Sequence, residues 1–146
     1  MKVKVRFLSF FLFLLAACSQ NSNIFAKNPP YAVKAEMVTD SSSIYEVAGL
    51  DFSFLNKSDQ AVKSLTLVFY MFDEDGNPPG LGSNNVELEI IACVDAKSLL
   101  EDCVSLDQFL YEIPDEPYQL DYLYVSRIVY EDGQVWSDPF GMYAVN

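Results

Sequence analysis

Apolar and polar residues alternate along most of the chain after residue 30, with the period of two that is typical of half-buried β-strands. The alternation is weak over 31–38, clear over 44–56 and present again over 86–94. Residues 118–130 are rich in aromatic and β-branched types, and 135–136 begin the return strand after a turn. One face of the second segment carries four apolar side chains: Ala48, Leu50, Phe52 and Phe54. The pattern therefore predicts a series of short strands.

The strongest strand signal covers 62–72, where both sets of alternate positions are apolar. A strand with two apolar faces is typical of a central position covered on both sides. Turn chemistry marks the chain reversals at 56–59 and at 131–134, where Asp-Gly favours a hairpin turn, and 73–82 is a loop by composition. These reversals favour antiparallel pairing of neighbouring strands.

Little of the chain is typical of helix. Residues 95–102 are ambiguous, and Ser105 to Gln108 fits a capping box that predicts one short helix over 106–111. Residues 140–145 could add a final edge strand. About seven strands, at most one short helix and no alternation of strands with helices predict an all-β, antiparallel sandwich.

The first 17 residues have the pattern of an export signal rather than of a folded element. Lys2, Lys4 and Arg6 precede an almost wholly apolar run over 7–17. The run is about 11 residues long, whereas a spanning helix needs roughly 20. We therefore expect 1–17 to be a cleaved signal peptide.

The end of this signal reads Leu15-Ala16-Ala17-Cys18 and resembles the lipobox of bacterial lipoproteins. The resemblance implies that Cys18 is acylated on its thiol and becomes the first residue of the mature protein. The alternative is an ordinary cleaved signal with an accidental cysteine. Ser19 follows instead of the Asp that commonly retains lipoproteins at the inner membrane. The resemblance thus implies anchorage in the bacterial cell envelope, with the outer membrane favoured where one exists.

Residues 18–30 are polar, lack periodicity and end in two prolines, which is typical of a tether. Such a segment spans about 20 Å as a flexible coil. The predicted organisation is a signal peptide (1–17), a lipidated Cys with a flexible tether (18–30) and a β-sandwich domain (31–146).

Two segments resemble small exported bacterial domains of the immunoglobulin-like sandwich type. The first is D-F-S-F-L-N-K-S-D-Q-A-V-K (51–63), and the second is R-I-V-Y-E-D-G-Q-V-W (127–136). The chain looks most similar to uncharacterised spirochaete-type lipoproteins. The resemblance implies an immunoglobulin-like fold and an envelope location, and it implies no reaction.

The composition excludes several kinds of chemistry. The chain has no His, so imidazole relays, imidazole metal ligands and histidine switches are absent. Its net charge is -12, and removal of 1–17 leaves six basic against 21 acidic residues, a net charge of -15. Repulsion from phosphates makes this a poor nucleic-acid binder and disfavours contact with anionic lipid. We expect the domain to stand away from the membrane.

Cys93 and Cys103 remain once Cys18 is lipidated, and an even pair in an exported domain can oxidise. A return of the chain after Cys93 would bring the two together, and the short loop so closed is worth about 2–3 kcal/mol. The sequence favours this disulfide over two buried free thiols.

The acidic loop at Asp73, Asp75 and Asn77 has the oxygen-rich composition of a calcium loop. It lacks the EF-hand pattern, because Gly76 falls at position four and Asn84 occupies position twelve. We expect a solvated turn, with an irregular Ca²⁺ site as the weaker alternative, and no confident metal site.

Tyr118, Tyr122, Tyr124 and Tyr130 share one strand parity and could line one face. Exposed tyrosines stack on sugars or anchor partner proteins. The possible binding face is therefore Tyr118, Tyr122 and Tyr124, and ordinary packing across the sheet is the alternative.

No catalytic motif occurs, so we expect a protein that is not an enzyme and that uses no cofactor. The expected function is that of a lipid-anchored binding or structural module of the envelope. Its partners would be the membrane, through the lipid, and an unknown envelope protein or glycan. The alternatives are a Ca²⁺- or glycan-binding module and, less favoured, a hydrolase without a recognisable motif.

Overall fold

The structure, a computed structural model, describes residues 28–40, 47–79, 85–110 and 115–145. These ranges contain seven strands: β1 (Tyr31–Asp40), β2 (Val47–Asn56), β3 (Val62–Phe72), β4 (Asn85–Val94), β5 (Leu99–Ser105), β6 (Gln119–Tyr130) and β7 (Val135–Ser137). Their only helical element is one 3-10 turn at Asp107–Phe109. The predicted short helix is thus a single turn, and the ambiguous segment contains the start of β5.

The strands form two antiparallel sheets that pack face to face around one core. The order is β1-β2-β5 in the three-stranded sheet and β4-β3-β6-β7 in the four-stranded sheet. In the letters used for immunoglobulin-like domains, these sheets are A-B-E and C′-C-F-G. The predicted all-β antiparallel sandwich is confirmed.

β3 lies at the centre of the four-stranded sheet, between β4 and β6, and both of its faces are largely buried. This position explains why both sets of its alternate residues are apolar. Side chains from the inner faces of both sheets meet in the core, whose large members include Tyr31, Leu50, Phe54, Leu65, Leu67, Phe69, Met71 and Ile128.

Tyr31 joins the two sheets at the start of β1. Its hydroxyl accepts a hydrogen bond of 3.1 Å from the backbone N–H of Val125 on β6. Its ring makes an edge contact with Trp136 on β7, with the ring centroids 5.5 Å apart. Burial raises the pKa of the Tyr31 hydroxyl to about 12. Tyr31 therefore links β1 to β6 and β7 of the opposite sheet.

Asn56 organises the turns at one end of the sandwich and is fully buried. Its amide nitrogen donates to the carbonyls of Gln60 at 2.8 Å, Asp95 at 3.0 Å and Val94 at 3.4 Å. Its amide oxygen accepts from the N–H and the hydroxyl of Ser58, at 3.0 and 2.6 Å. One side chain thus links the β2–β3 turn to the β4–β5 turn, and its polar atoms are satisfied without water.

β6 is irregular at two points. Its register against β3 shifts around Ser126 and again around Tyr122, so each place adds one residue to β6. An extra residue reverses which alternate side chains face the core. β6 therefore does not keep the single parity that its sequence suggests.

The chain after β7 does not form the final edge strand that the sequence suggested. One isolated bridge joins Val145 to Leu123, with hydrogen bonds of 2.8 and 3.0 Å in both directions. The segment between β7 and Val145 is held by Asp138, which is buried and whose carboxylate accepts the N–H of Tyr143. Within the described residues, β7 pairs with β6 only from Arg127 to Val129.

Candidate functional site

The segment before β1, which the sequence predicts to be a tether, joins the sandwich at a defined end, referred to as the tether end. The carbonyl of Pro30 accepts the N–H of Lys57 at 2.8 Å, which places the start of β1 beside the β2–β3 turn. The β4–β5 and β6–β7 turns lie at this tether end too, because Asn56 contacts the first and Glu131 bonds to Ala61 beside the second. The β3–β4 and β5–β6 connections consequently lie at the opposite, far end.

The predicted lipidation residue, Cys18, and the predicted signal peptide lie outside the described residues, as does most of the predicted tether. Their predictions therefore stand as they were made from the sequence. In the part of the chain that the structure describes, no helix is long and apolar enough to cross a membrane.

Three tyrosines cluster on the outer face of the four-stranded sheet. Tyr122 makes edge contacts with Tyr70 and Tyr124, with ring centroids 5.6 and 5.8 Å apart. Gly141 lies against two of these rings, and a side chain there would come within 3.0 Å of Tyr124. Tyr122 is 39% exposed and Tyr124 is nearly buried. We refer to Tyr70, Tyr122 and Tyr124 as the tyrosine cluster.

Tyr122 has a left-handed backbone conformation, with φ at +54°. A bulky residue rarely adopts this conformation, which costs about 1–2 kcal/mol. The carboxylate of Asp121 accepts the Tyr122 N–H at 2.8 Å and holds the bulge. Backbone strain of this kind concentrates at functional sites.

The tyrosine face predicted from strand parity is wrong in part, because β6 has two irregularities, around Ser126 and around Tyr122. Tyr122 and Tyr124 do lie together, but Tyr118 packs against the core and Tyr130 is a core residue. Tyr70 on β3 takes their place beside Tyr122. A parity argument along one strand cannot register an extra residue, and Tyr70 belongs to another strand.

A shallow cleft of about 440 Å³ adjoins the tyrosine cluster on the same outer face. Its polar lining residues include Arg127, Glu87, Ser126 and Ser137, and Tyr124 also belongs to the lining. Arg127 and Tyr124 face Thr66 and Val68 on β3, and Glu87 reaches Val68 from β4. No sequence pattern marked Arg127 as a site residue, although it is the only Arg after residue 17.

The acidic loop is a closed turn. The Asp73 carboxylate accepts the N–H groups of Asn77 and Asp75 at 2.7 and 3.0 Å, and the Asn77 side chain at 3.0 Å. The side-chain bond from Asn77 is the main reason why the pKa of Asp73 lies below its ordinary value. Both carboxylate oxygens are thus engaged, and no three Cys, Asp or Glu side chains gather as a metal site within the described ranges. The geometry fits the turn interpretation better than the Ca²⁺ alternative.

The two remaining thiols are free and exposed, so the disulfide predicted from the sequence is not formed in this structure. Cys93 lies on β4 with its sulfur 3.7 Å from a Glu131 carboxylate oxygen. Cys103 lies on β5 of the other sheet, where its sulfur would contact a side chain placed at Gly49. The prediction assumed a return within one sheet, whereas the chain crosses between sheets after β4.

Comparisons with known proteins bear on the fold alone. No family model matches the chain, and no curated protein matches it. Its structure is similar to an X-ray structure of a hypothetical protein from Peptoclostridium difficile 630, with a TM-score of 0.54, 10% identity, and coverage of 76% of this chain and 87% of that chain. An X-ray structure of a Northeast Structural Genomics Consortium target gives a TM-score of 0.41 and 14% identity, with 80% of each chain covered. The first likeness supports the sandwich architecture.

Proposed function

We propose that this chain is a membrane-anchored bacterial lipoprotein that displays its acidic β-sandwich as a binding or structural module of the cell envelope. Cys18 is the lipid acceptor, and residues 19–30 form the tether. The protein is not an enzyme and needs no cofactor. The outer membrane is the favoured location where the cell has one.

The observation that carries this proposal is the position of the tyrosine cluster relative to the tether. The tether enters beside Lys57 at one end, whereas Tyr122 lies on β6 eight residues from the Tyr130 end. At about 3.3 Å per residue, this distance is about 26 Å along the strand. A domain held at its tether end would therefore present its exposed aromatic surface away from the bilayer.

The charge of the domain supports the same arrangement. Its excess of acidic residues repels anionic lipid headgroups, so the lipid chains and not the protein surface would hold it. One acyl chain binds only marginally, and two or three give a lasting anchor. The proposal therefore requires a multiply acylated Cys18.

Intact-mass spectrometry of the protein from its own envelope tests the anchor. We expect cleavage before Cys18 and a mass increase of a diacylglyceryl group, with a further acyl chain where the host adds one. Cys18→Ala should remain unprocessed or be released as a soluble form. An unmodified Cys18 in the mature protein would refute the anchor. Cross-linking in intact envelopes then identifies the partner, with Tyr122→Ser as the variant that should lose it.

A second candidate function is glycan binding in the cleft beside Tyr124. An aromatic wall with an arginine, a carboxylate and hydroxyls is the combination that contacts sugar rings and their vicinal hydroxyls. Calorimetry with purified envelope oligosaccharides tests it. Arg127→Ala should abolish the heat of binding, and Lys34→Ala, which removes the same charge from the other sheet, should not. An absence of heat with the unaltered protein would refute glycan binding.

A further inference from the structure

The two sheets are unequal, and the difference leaves one seam of the sandwich open. Among the described residues, β1 is an edge strand of ten residues that pairs only with β2. Opposite it, the four-stranded sheet extends one strand further, but β7 has only three residues and covers only a short part of β6. Beyond β7, the structure supplies one bridge, between Leu123 and Val145. A strand added at β1 would face this overhanging part of the larger sheet.

A groove of about 460 Å³ lies along this seam. Its lining is mostly apolar, from Val33, Ala35, Leu120, Leu123 and Val145, and its two charged members are Lys34 and Asp121. These residues come from β1, from the uncovered half of β6 and from the segment after β7. The groove therefore lies where the inner face of a fourth strand would sit.

The segment that borders the seam exposes large apolar side chains. Phe140 is 81% exposed, Met142 is 60% exposed and Val145 is 43% exposed. These three residues fall within six positions of the chain, and Val145 is the one that lines the groove. Exposed apolar surface beside an open strand edge is the usual arrangement for accepting another strand.

We propose that the β1 edge accepts an extended peptide segment of a second protein, which adds a fourth strand to the three-stranded sheet. Backbone hydrogen bonds to β1 provide the pairing, and alternate apolar side chains of the segment enter the groove. The intervening side chains are basic. This inference concerns the sandwich alone and is independent of the lipid anchor.

Charge identifies the kind of occupant. The chain carries 21 acidic against nine basic residues, so its overall field is negative. At the groove, Asp121 and Lys34 both belong to the lining, and the exposed Glu36 follows Lys34 on the outward side of β1. An incoming strand with Lys or Arg at its outward positions is attracted by this field, and opposite charges across a strand pair are stabilising. A second copy of this chain would bring the same net charge of -12 and be repelled.

Fluorescence anisotropy on the full chain purified in detergent tests the proposal with a labelled decapeptide of alternating valine and lysine. Two comparison peptides carry alternating valine and glutamate, or the first composition rearranged as one valine block and one lysine block. We expect the alternating valine–lysine peptide to bind at least about tenfold more tightly than either. Amide exchange over 31–40 should slow when it is bound.

Two substitutions test the location. Leu120→Asp and Val145→Asp each place a charge in the groove, and we expect each to weaken peptide binding by about tenfold or more. Gln119→Asp adds the same charge to an exposed position of the same strand and should leave binding unchanged. Val145 is partly exposed and lies near the end of the described chain, so its variant should fold even where Leu120→Asp does not.

Several results would overturn the proposal. These are equal binding of the three peptides, protection confined to β4 or β5, or retained binding by Val145→Asp. Slow exchange of the β1 N–H groups that point away from β2, measured without peptide, would assign the groove to the tether of this chain if the protein is monomeric. The same result in a dimer would assign it to a second copy.

Discussion

At the scale of single residues, the outer face of the four-stranded sheet depends on two backbone positions with positive φ. Tyr122 adopts +54° at the bulge of β6, and Gly141 adopts +64° against the rings of Tyr122 and Tyr124. Glycine alone combines this conformation with so close an approach, whereas Tyr122 adopts it against the preference of its side chain. The ring contacts and the Asp121 carboxylate compensate for that preference.

Gly141→Ala should therefore destabilise the fold and disturb the tyrosine cluster. The new methyl group would stand 3.0 Å from the Tyr124 ring and 3.1 Å from the Tyr122 ring. We expect a loss of about 2–3 kcal/mol, from the left-handed backbone and the steric contact together. Gly133→Ala has a similar φ of +86° but open space around it, so it should cost only about 1 kcal/mol. Equal losses in urea unfolding would contradict the ring contact.

The turn closed by Asp73 has an acid dependence of known sign. Its folded pKa lies below the ordinary value of 3.8, so the carboxylate stabilises the fold above that pH and loses this effect as the pH falls through the lower value. Asp73→Asn should lower stability at neutral pH and flatten the unfolding curve below about pH 4. Asp75→Asn is the control, because the Asp75 carboxylate accepts none of the turn hydrogen bonds described above. An unchanged acid profile in Asp73→Asn would contradict the assignment.

At the scale of strands and turns, alternation predicted β2, β3, β4 and the β6–β7 hairpin because burial on one or both faces leaves a direct record in residue type. It did not resolve β5, whose exposed edge position gives Leu99 to Ser105 a mixed pattern with little burial. The prediction of the tyrosine face was wrong in part, because each bulge in β6 reverses the parity of the strand and no particular residue type marks a bulge. Tyr124 and Ile128 share the same parity in the sequence, yet both are buried and they lie on opposite faces of β6. Two apolar residues in this relation are the sequence signal that could have revealed one of the two bulges.

Asn56 shows how a turn motif carries structural information. It belongs to the segment that resembles exported sandwich domains, and the structure makes it the link between two turns. Such a resemblance concerns turns and core positions, so it predicted the architecture and implied nothing about a binding surface. Neither Arg127 nor the open seam leaves a comparable pattern, because both depend on which strands the sheets place together.

Asn56→Asp should consequently destabilise the whole tether end. The change is nearly isosteric, but it replaces a donor that contacts three carbonyl oxygens with a second acceptor. We expect a loss of about 3 kcal/mol or more, since a buried charge would face unpaired carbonyls. Gln134→Glu makes the same kind of change at an exposed position of the β6–β7 turn and should have little effect. Thermal unfolding of the two variants side by side measures the difference.

At the scale of the whole molecule, the crossing of the chain from one sheet to the other after β4 determines several features. The chain leaves β4 at one sheet and enters β5 at the other, which separates the two cysteines and places two edge strands on one side of the sandwich. On the other side, β1 and the short β7 leave the seam open. The stability of the domain therefore rests on its core and on links such as Asn56 and Tyr31, and not on a covalent cross-link.

Native thiol labelling tests this view of the molecule. Because both thiols are exposed and lie on different sheets, a maleimide should add one label to each of Cys93 and Cys103 in the folded domain, even after mild oxidation. Although Cys103 is exposed, partial desolvation of its sulfur, with the neighbouring Asp51 and Asp102 carboxylates, raises the pKa of the thiol, so its labelling should slow at neutral pH and accelerate in alkali. Cys103→Ser and Cys93→Ser assign the two rates, and a reducing agent should leave the unfolding midpoint unchanged. A mass two hydrogens lower, with neither residue labelled, would instead establish the bond that the sequence favoured.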